Sequence, residues 1–324
     1  MSKLLTIAVS TYNHDSLLDS RLAWLASELK GLEQDCEIIV CDNCSDDKTP
    51  GVLAKWRWVL TPQVSFTYHS NEEHISPMAN TVSSLRKANG TFVWAIRDDD
   101  KVQSGTIAYL LSKIKAHSDL SVVLLNGAGQ HSNVIRIDAE KYFSSVADPQ
   151  KPDRAAEFKN FLEGCVGEGL SISFAAYRTK LIKNAFLSWP NSAEHIASQA
   201  YWIAFCAARG SVVAALSLDT KSVMTSEFSD TEDRRKFMMT FCGFPDVYLR
   251  LMRLGYPKAF CLSMIFRNLR SKDSWRIFFG SLRRWPIFTA RGFVYYVRDI
   301  VVASWLFLVK NSNPELLEEV AKLG

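Results

Sequence analysis

The first half of the chain alternates short β-rich runs with segments of helical periodicity. The runs rich in β-branched and aromatic residues are residues 4–10, 37–41, 64–68, 91–96 and 121–126. Such alternation is typical of βαβ units, in which helices cover both faces of a mostly parallel sheet. The sequence therefore predicts an α/β fold and excludes an all-helical or all-β architecture for this half.

Helical segments connect these predicted strands. Leu18, Leu22, Leu25 and Leu29 recur at helical spacing before Gly31, which predicts an amphipathic helix whose leucines face the sheet. Thr49 and Ser76 each precede a proline and are predicted helix N-caps.

The second half begins with a further strand (171–177), a helix (192–209) and a strand (211–216), and is helical from residue 229 onward. We therefore expect two domains, residues 1–228 and residues 229–324, the second a helical appendage.

Four polar clusters follow predicted strands, at residues 10–13, 42–47, 68–71 and 98–100. In open α/β sheets, ligands bind outside the carboxyl ends of the strands. The clusters should therefore converge on one edge of the sheet and form a binding site there.

Three adjacent carboxylates, Asp98, Asp99 and Asp100, end the strand at residues 91–96. Adjacent carboxylates repel one another unless a cation or hydrogen-bond donors compensate. Mg²⁺ or Mn²⁺ bound together with phosphate oxygens would supply that compensation. Strand geometry would point Asp98 and Asp100 the same way and Asp99 elsewhere. The alternative is a solvated acidic turn.

The loop at residues 42–49 is a second polar candidate. Asp42 or Asn43 could hydrogen-bond the edge of a nucleobase or a ribose hydroxyl. Residues of these types also cap turns routinely, which is the alternative interpretation.

Taken together, these segments resemble family 2 of the inverting glycosyltransferases, which have the GT-A, Rossmann-like fold. The resemblance covers about residues 4–216. The motifs that carry the resemblance are Ser10-Thr11-Tyr12-Asn13, the loop from Asp42 to Thr49, a segment from Asn71 to Asn80 without the family's glycine, and the acidic motif Asp98-Asp99-Asp100.

The resemblance implies a nucleoside-diphosphate sugar as donor and a divalent metal, Mn²⁺ or Mg²⁺. It implies that Thr11, Tyr12 and Asp42 line the base pocket, and that Asp98 contacts the ribose. The other residues of the two loops expected to bind the donor are Asn13 and Asn43, and the metal-diphosphate residues are Asp99 and Asp100. The family commonly has an aspartate where this chain has Arg97, and an arginine there could pair with the flanking acids or with a phosphate.

An inverting transfer needs a base that takes the proton of the acceptor hydroxyl. By resemblance, that base lies at the start of a helix, where this chain has Glu194-His195. A minority branch of the family has histidine there, so both residues are candidates. Their alternative roles are a first-turn helix residue and a surface side chain.

The C-terminal region is locally basic. Residues 263–298 contain eight Lys or Arg and one acid, Asp273, interleaved with aromatic residues. This pattern is typical of an interfacial helix on a membrane surface, and an interface between protomers is the alternative. No nucleic-acid recognition motif is visible.

The N-terminal apolar run is too short to span a membrane and lacks a signal-peptide pattern. The seven cysteines, an odd number scattered through the chain, indicate reduced thiols. We therefore expect a cytoplasmic protein, and the basic C-terminal region predicts that it is peripheral at the inner face of the plasma membrane.

The expected function is transfer of a hexosyl or deoxyhexosyl group, with inversion, to a glycan or lipid-linked acceptor in cell-surface polysaccharide synthesis. A dinucleotide-dependent dehydrogenase is excluded because no glycine-rich turn follows the first strand. A glycosyltransferase-like carbohydrate-binding protein without turnover and, more remotely, a nucleotidyltransferase are the alternatives.

Overall fold

A computed structural model describes residues 3–126, 172–221 and 229–309. The chain forms two compact units, residues 1–227 and residues 228–324. The first unit carries the sheet, and the second is helical.

In the part of the first unit that the structure describes, the sheet has eight strands in the order β3-β2-β1-β4-β7-β6-β8-β5. The strands are β1 (Leu5–Thr11), β2 (Cys36–Asp42), β3 (Ser65–Ser70), β4 (Phe92–Arg97), β5 (Lys101–Val102), β6 (Leu120–Asn126), β7 (Ala175–Arg178) and β8 (Ser211–Lys221). β1 pairs in parallel with β2 and β4, β2 with β3, and β6 with β8. β7 is antiparallel to both β4 and β6, and β5 is antiparallel to β8. The predicted mostly parallel sheet flanked by helices is confirmed.

The helices of this unit within the described residues are α1 (Asp15–Glu28), α2 (Thr49–Leu60), α3 (Pro77–Lys87), α4 (Thr106–Ala116), α5 (Thr179–Ser188) and α6 (Ser198–Ala207). The predicted leucine face of α1 is confirmed, since Leu18, Leu22 and Leu25 are fully buried. Ser76 caps α3 as predicted, and its Oγ accepts a hydrogen bond from the backbone N of Ala79. Thr49 is not a cap, because α2 already begins at that residue.

Two predicted elements are shorter than expected. The predicted strand at 171–177 is a 3₁₀ turn, Ile172–Phe174, followed by β7. The predicted helix at 192–209 is a 3₁₀ turn, Pro190–Glu194, followed by α6. Pro190 suits the first position of the short turn, and the indole of Trp202 donates to Ser192 Oγ at 3.1 Å, which ties the turn to α6.

The second unit contains α7 (Ser229–Met238), a π-helical turn (Met239–Gly243), α8 (Phe244–Arg253), α9 (Lys258–Arg270), α10 (Lys272–Arg284) and α11 (Pro286–Leu308). Its core is aromatic: Phe241 contacts Phe237, Phe278, Phe293 and Tyr296. The Tyr296 hydroxyl donates to the carbonyl of Ile265 at 2.6 Å, so the buried polar end is satisfied. Within the described residues, no helix combines the length and the apolarity that crossing a membrane requires.

A buried carboxylate holds the amino-terminal edge of the sheet. Glu37 on β2 accepts hydrogen bonds from the Thr6 hydroxyl and from the backbone N–H groups of Asn89 and Gly90. Gly90 lies so close to β1 that an added Cβ would stand 2.7 Å from the backbone N of Thr6. The connection from α3 into β4 therefore needs glycine at this position.

We expect Gly90→Ala to lower the free energy of unfolding by about 1–3 kcal/mol, because β1 would have to move away from the new methyl group. Gly51 is the matched control, since a Cβ there meets nothing within 4 Å. Gly51→Ala should be neutral or stabilising by up to about 1 kcal/mol, as for other helical glycines. Urea denaturation of both variants compares them, and equal midpoints would contradict the close-approach argument.

Candidate functional site

The carboxyl ends of β1, β2 and β3 bring the predicted polar clusters together. The backbone N of Asn43 donates to the carbonyl of Thr11 at 3.0 Å, and that of Asn71 donates to the carbonyl of Asp42 at 2.9 Å. The ladder thus continues one residue past the strands, and the loops leave the sheet side by side.

The loops after β1 and β2 interlock. The backbone N of Asn13 donates to Ser45 Oγ at 2.9 Å, and the backbone N of Asp46 donates to Asn13 Oδ1 at 2.9 Å. Asp42 is 1% exposed and accepts from both the backbone N and the hydroxyl of Ser45. Asn13 has φ +50° and Cys44 φ +64°, a left-handed conformation that costs energy in a residue other than glycine. The reciprocal bonds offset this strain.

Asn43 holds a third loop in place. Its Nδ2 donates to the carbonyl of Ile75 at 2.7 Å, and its Oδ1 accepts from the backbone N of Ile75 and from Asn71 Nδ2, each at 3.0 Å. Asn71 also donates to Asn80 Oδ1 at 3.0 Å. Asn43 is 1% exposed, so its clearest contribution is to fix the loop between β3 and α3.

Tyr12 is the most exposed of the predicted donor residues, at 41%. Its ring contacts that of His74, with the centroids 4.4 Å apart. An exposed aromatic pair beside a polar pocket is suited to stack on a nucleobase. His74 was missed in the sequence, because its contact with Tyr12 joins loops 62 residues apart.

Asp98 lies beneath the loop after β1. Thr11 Oγ1 donates to Asp98 Oδ2 at 2.5 Å, and His14 Nδ1 lies 3.2 Å from Asp98 Oδ1. Burial raises the pKa of the Asp98 carboxyl, while the bonds from Thr11 and His14 act in the opposite direction. The structure thus joins two predicted donor residues, Thr11 and Asp98, directly.

Asp100 is also buried, at 1% exposed. Its Oδ2 accepts from the backbone N of Arg97 at 2.8 Å, which closes the turn after β4. Its Oδ1 has no well-formed hydrogen bond from the described residues, although Ser173 is near enough to help lower the carboxyl's pKa. Burial is the larger effect and raises the pKa of Asp100.

Asp99 is the least buried of the three acids, and its side chain is 16% exposed. Arg97 holds it with a two-point ion pair, Nε to Oδ1 at 2.7 Å and Nη2 to Oδ2. Because β4 ends at Arg97, the three aspartates lie beyond the strand, and the alternation expected of strand residues does not apply to them.

Arg21 is a buried cation that the sequence analysis did not single out. It lies on the leucine face of α1, is 7% exposed, and its guanidinium carbon is 5.1 Å from the ring centroid of Trp24. Burial lowers the pKa of Arg21, while the charges of Asp100, Asp98 and Asp99 act to raise it. An arginine within a run of buried helical leucines was the available signal, because such a charge requires compensation.

The acidic motif fits a metal that the donor helps to hold. Among the described residues, no three acidic, histidine or cysteine side chains form a group able to bind a metal ion. Mg²⁺ and Mn²⁺ sites of phosphate-binding enzymes often use only one or two carboxylates, with phosphate oxygens and water completing the shell. Asp99, the least buried of the three, could take that role in place of its pair with Arg97, and Asp100, whose Oδ1 lacks a well-formed hydrogen bond from the described residues, is the second candidate.

Glu194 and His195 end the 3₁₀ turn instead of beginning a helix as predicted. The turn packs against α3, which begins at the loop fixed by Asn43. The His195 ring lies 4.5 Å from that of Trp189, and its Nδ1 accepts from the backbone N of Ala197 at 3.3 Å. Glu194 is exposed, and its carboxylate makes no hydrogen bond to a residue that the structure describes.

Comparison with solved structures shows the same fold. The chain resembles S. aureus TarS 1–349 in complex with UDP-GlcNAc, with a TM-score of 0.58 and 14% identity over 93% of this chain and 81% of that chain. It also resembles the mannosyltransferase PcManGT of Pyrobaculum calidifontis in complex with GDP-Man and Mn²⁺, with a TM-score of 0.57 and 15% identity over 96% and 89% of the two chains.

A curated relative is the abequosyltransferase RfbV of Salmonella typhimurium strain LT2, which is 25% identical over 147 residues. The match spans 43% of this chain and 43% of that relative, so less than half of either protein. The profile described as glycosyl transferase family 2 matches residues 6–186. Because that match covers more than half of the chain, this protein belongs to glycosyl transferase family 2.

Proposed function

We propose that the enzyme transfers a hexosyl or deoxyhexosyl group, with inversion, from a nucleoside-diphosphate sugar to a hydroxyl of a glycan or lipid-linked acceptor. The observation that carries the proposal is the Thr11–Asp98 hydrogen bond, which joins the nucleotide loop to the acidic motif. The relatives named above, which include an abequosyltransferase and a mannosyltransferase in complex with GDP-Man, support a sugar nucleotide as donor. Cell-surface polysaccharide synthesis is the proposed setting.

The donor pocket divides into an aromatic and a polar part. Tyr12 and His74 offer exposed rings for the base. Asp42 and Thr11 line the pocket, with Asn13 and Asn43 holding its loops, and Asp98 accepts from the ribose hydroxyls. Interlocked loops favour binding because little ordering is left to occur when the nucleotide arrives.

Asp99 and Asp100 are the residues that would hold Mn²⁺ or Mg²⁺ at the acidic motif. A bound ion would supply positive charge for the diphosphate of the donor. Arg21 provides fixed positive charge near the same carboxylates, and Arg97 pairs with Asp99 in the free enzyme, so the motif remains folded before the donor binds.

Metal-dependent donor binding is the first test. Stabilisation by UDP, GDP, CDP or dTDP, with and without Mn²⁺, is measured as the shift in melting temperature. We expect one nucleotide to stabilise the wild type in the presence of Mn²⁺ and Asp99→Ala to lose most of that shift.

The matched control is Asp119→Ala, an exposed acid that precedes β6 at the opposite edge of the sheet. It should respond like the wild type. No stabilisation of the wild type by any of the four nucleotides would contradict the proposed donor site.

We favour Glu194 over His195 as the base that accepts the proton of the acceptor hydroxyl. The exposed carboxylate has no hydrogen-bond partner among the described residues, so both oxygens remain accessible. The Nδ1 of His195 already accepts a hydrogen bond from the backbone N of Ala197 at 3.3 Å, so this nitrogen is engaged within the turn. His195 then orients the turn through its contact with Trp189.

Removing the base should lower the rate of transfer without weakening donor binding. We expect Glu194→Gln to lower kcat about 10²–10⁴-fold, the usual contribution of a general base. His195→Gln should cost less than about tenfold, because the ring is assigned to positioning. Steady-state kinetics compares kcat of the two variants, and their nucleotide affinity is the control. A larger loss of kcat in His195→Gln than in Glu194→Gln would make the imidazole the base.

The exposed apolar face of α11 suits a lipid surface. Ile287, Val294, Val301 and Leu308 recur every seven residues and are between 62% and 77% exposed. Arg291 and Arg298 lie on the same face and are exposed. Such a face binds at the headgroup boundary, where arginines reach anionic phosphates. If two copies paired through this face, the arginines of both copies would lie together in one apolar interface, where like charges repel. We therefore place the enzyme at the inner face of the plasma membrane.

Charging this face should release the protein from vesicles. We expect Val294→Asp with Val301→Asp to abolish cosedimentation with phosphatidylglycerol-containing vesicles, because carboxylates are repelled by anionic lipid and are costly to bury. Leu187→Asp is the control, an exposed apolar residue of α5 at 78%, and it should sediment like the wild type. Unchanged vesicle binding together with dissociation of an oligomer would make this face a protomer interface.

A further inference from the structure

The ion pair between Arg97 and Asp99 occupies the carboxylate that the proposed function assigns to the metal. Arg97 Nε donates to Asp99 Oδ1 at 2.7 Å, and Nη2 donates to Oδ2. Both oxygens therefore face the guanidinium. A metal ion at Asp99 must take at least one of these oxygens from Arg97.

The neighbouring acids are poor substitutes for Asp99. Asp98 accepts from Thr11 and lies beside His14, and Asp100 closes the turn by accepting from the backbone of Arg97. Both are almost fully buried, at 6% and 1% exposed. Without a donor, the protein therefore offers a divalent ion few accessible ligands, and the best of them is already neutralised.

Arg97 is placed so that it can release Asp99. Its side chain is 40% exposed, whereas Arg21 is 7% exposed and packed against Trp24. Guanidinium has five N–H donors, and only those of Nε and Nη2 bond Asp99. The planar fork that fits a carboxylate also fits a phosphate. A diphosphate that approaches a metal on Asp99 reaches the same four-residue turn that carries Arg97.

We propose that Arg97 is an exchangeable counterion: it neutralises Asp99 in the free enzyme and moves to the donor's diphosphate when the metal takes Asp99. No covalent step is involved, only an exchange of ion-pair partners. Arg21 remains as the permanent cation beneath the motif. The consequence is that metal and donor favour each other's binding. The metal displaces Arg97 from Asp99, and the donor's diphosphate gives the displaced guanidinium a new partner. This inference rests on the proposed donor site.

The exchange makes two opposite predictions for Arg97→Gln. Its affinity for Mn²⁺ without nucleotide should rise at least about tenfold, because Asp99 loses its charged hydrogen-bond partner. Its affinity for the nucleoside diphosphate at saturating Mn²⁺ should fall at least about tenfold, because the phosphate loses the guanidinium that the metal has released from Asp99. Free Mn²⁺ is measured by electron paramagnetic resonance, and nucleotide binding by calorimetry with the diphosphate that stabilises the wild type.

Lys101→Gln is the matched control, since it removes one exposed positive charge beside the same turn. Lys101→Gln should change the affinity for Mn²⁺ and the affinity for the nucleoside diphosphate by less than about threefold, because salt screens the interaction of a surface charge that does not contact the ligand. Arg97→Lys keeps the charge without the planar fork and should fall between Arg97→Gln and the wild type for both ligands.

Unchanged Mn²⁺ affinity in a folded Arg97→Gln protein would overturn the exchange, and so would unchanged nucleotide affinity. Lys101→Gln changes as large as those of Arg97→Gln would also overturn it, because the effect would then be general electrostatics. If the wild type binds no nucleoside diphosphate with Mn²⁺, the proposed donor site fails. If instead the wild type binds the nucleotide and Arg97→Gln binds both ligands as the wild type does, the donor site stands and only the exchange is overturned.

Discussion

The site depends on the cost of placing three adjacent carboxylates at the end of a buried strand. Asp98 and Asp100 are withdrawn from water, which disfavours their charged forms. The fold compensates from several directions: a hydroxyl on β1, an imidazole in the loop after it, a buried guanidinium on α1 and the guanidinium that ends β4. Each of these elements therefore has to be in place before the acidic turn is stable. The binding edge and the packing of α1 on the sheet form one interdependent structure.

The sequence predicted the parts of the fold that depend on local pattern. Strands β1 to β4 and β6 follow from runs of β-branched and aromatic residues, and the leucine spacing of α1 marks its buried face. The reversed direction of β7 was not predictable in this way, because strand direction is set by pairing with β4 and β6, which are distant in sequence. The break after Glu194 depends on the bond between Ser192 and Trp202, which helical periodicity does not encode.

The same division applies to the site. Its polar clusters were visible as residues that follow strands, and their meeting at one edge follows from parallel pairing. The contacts of their partners were not visible: Arg21 stood out only as a charge among the helical leucines of α1, and the pairing of His74 with Tyr12 joins loops that are distant in sequence. Both act across the fold, through charges or rings supplied by other elements. Residue types thus indicated the kind of chemistry. Which cations compensate the acidic motif, and which side chains position its loops, depends on three-dimensional contacts.

The reversal of β7 has a consequence for how such enzymes diversify. Because β7 runs against β6, the carboxyl end of β6 and the amino end of β7 lie at the same edge as the acidic motif, where Ser173 receives the indole N–H of Trp94 at 2.9 Å. β6 therefore ends, and β7 begins, at the binding edge. A change in the number of residues that join two strand ends anchored in this way costs little closure entropy. The length of this connection can therefore change between relatives while the strand pairings, and with them the donor half, are inherited unchanged.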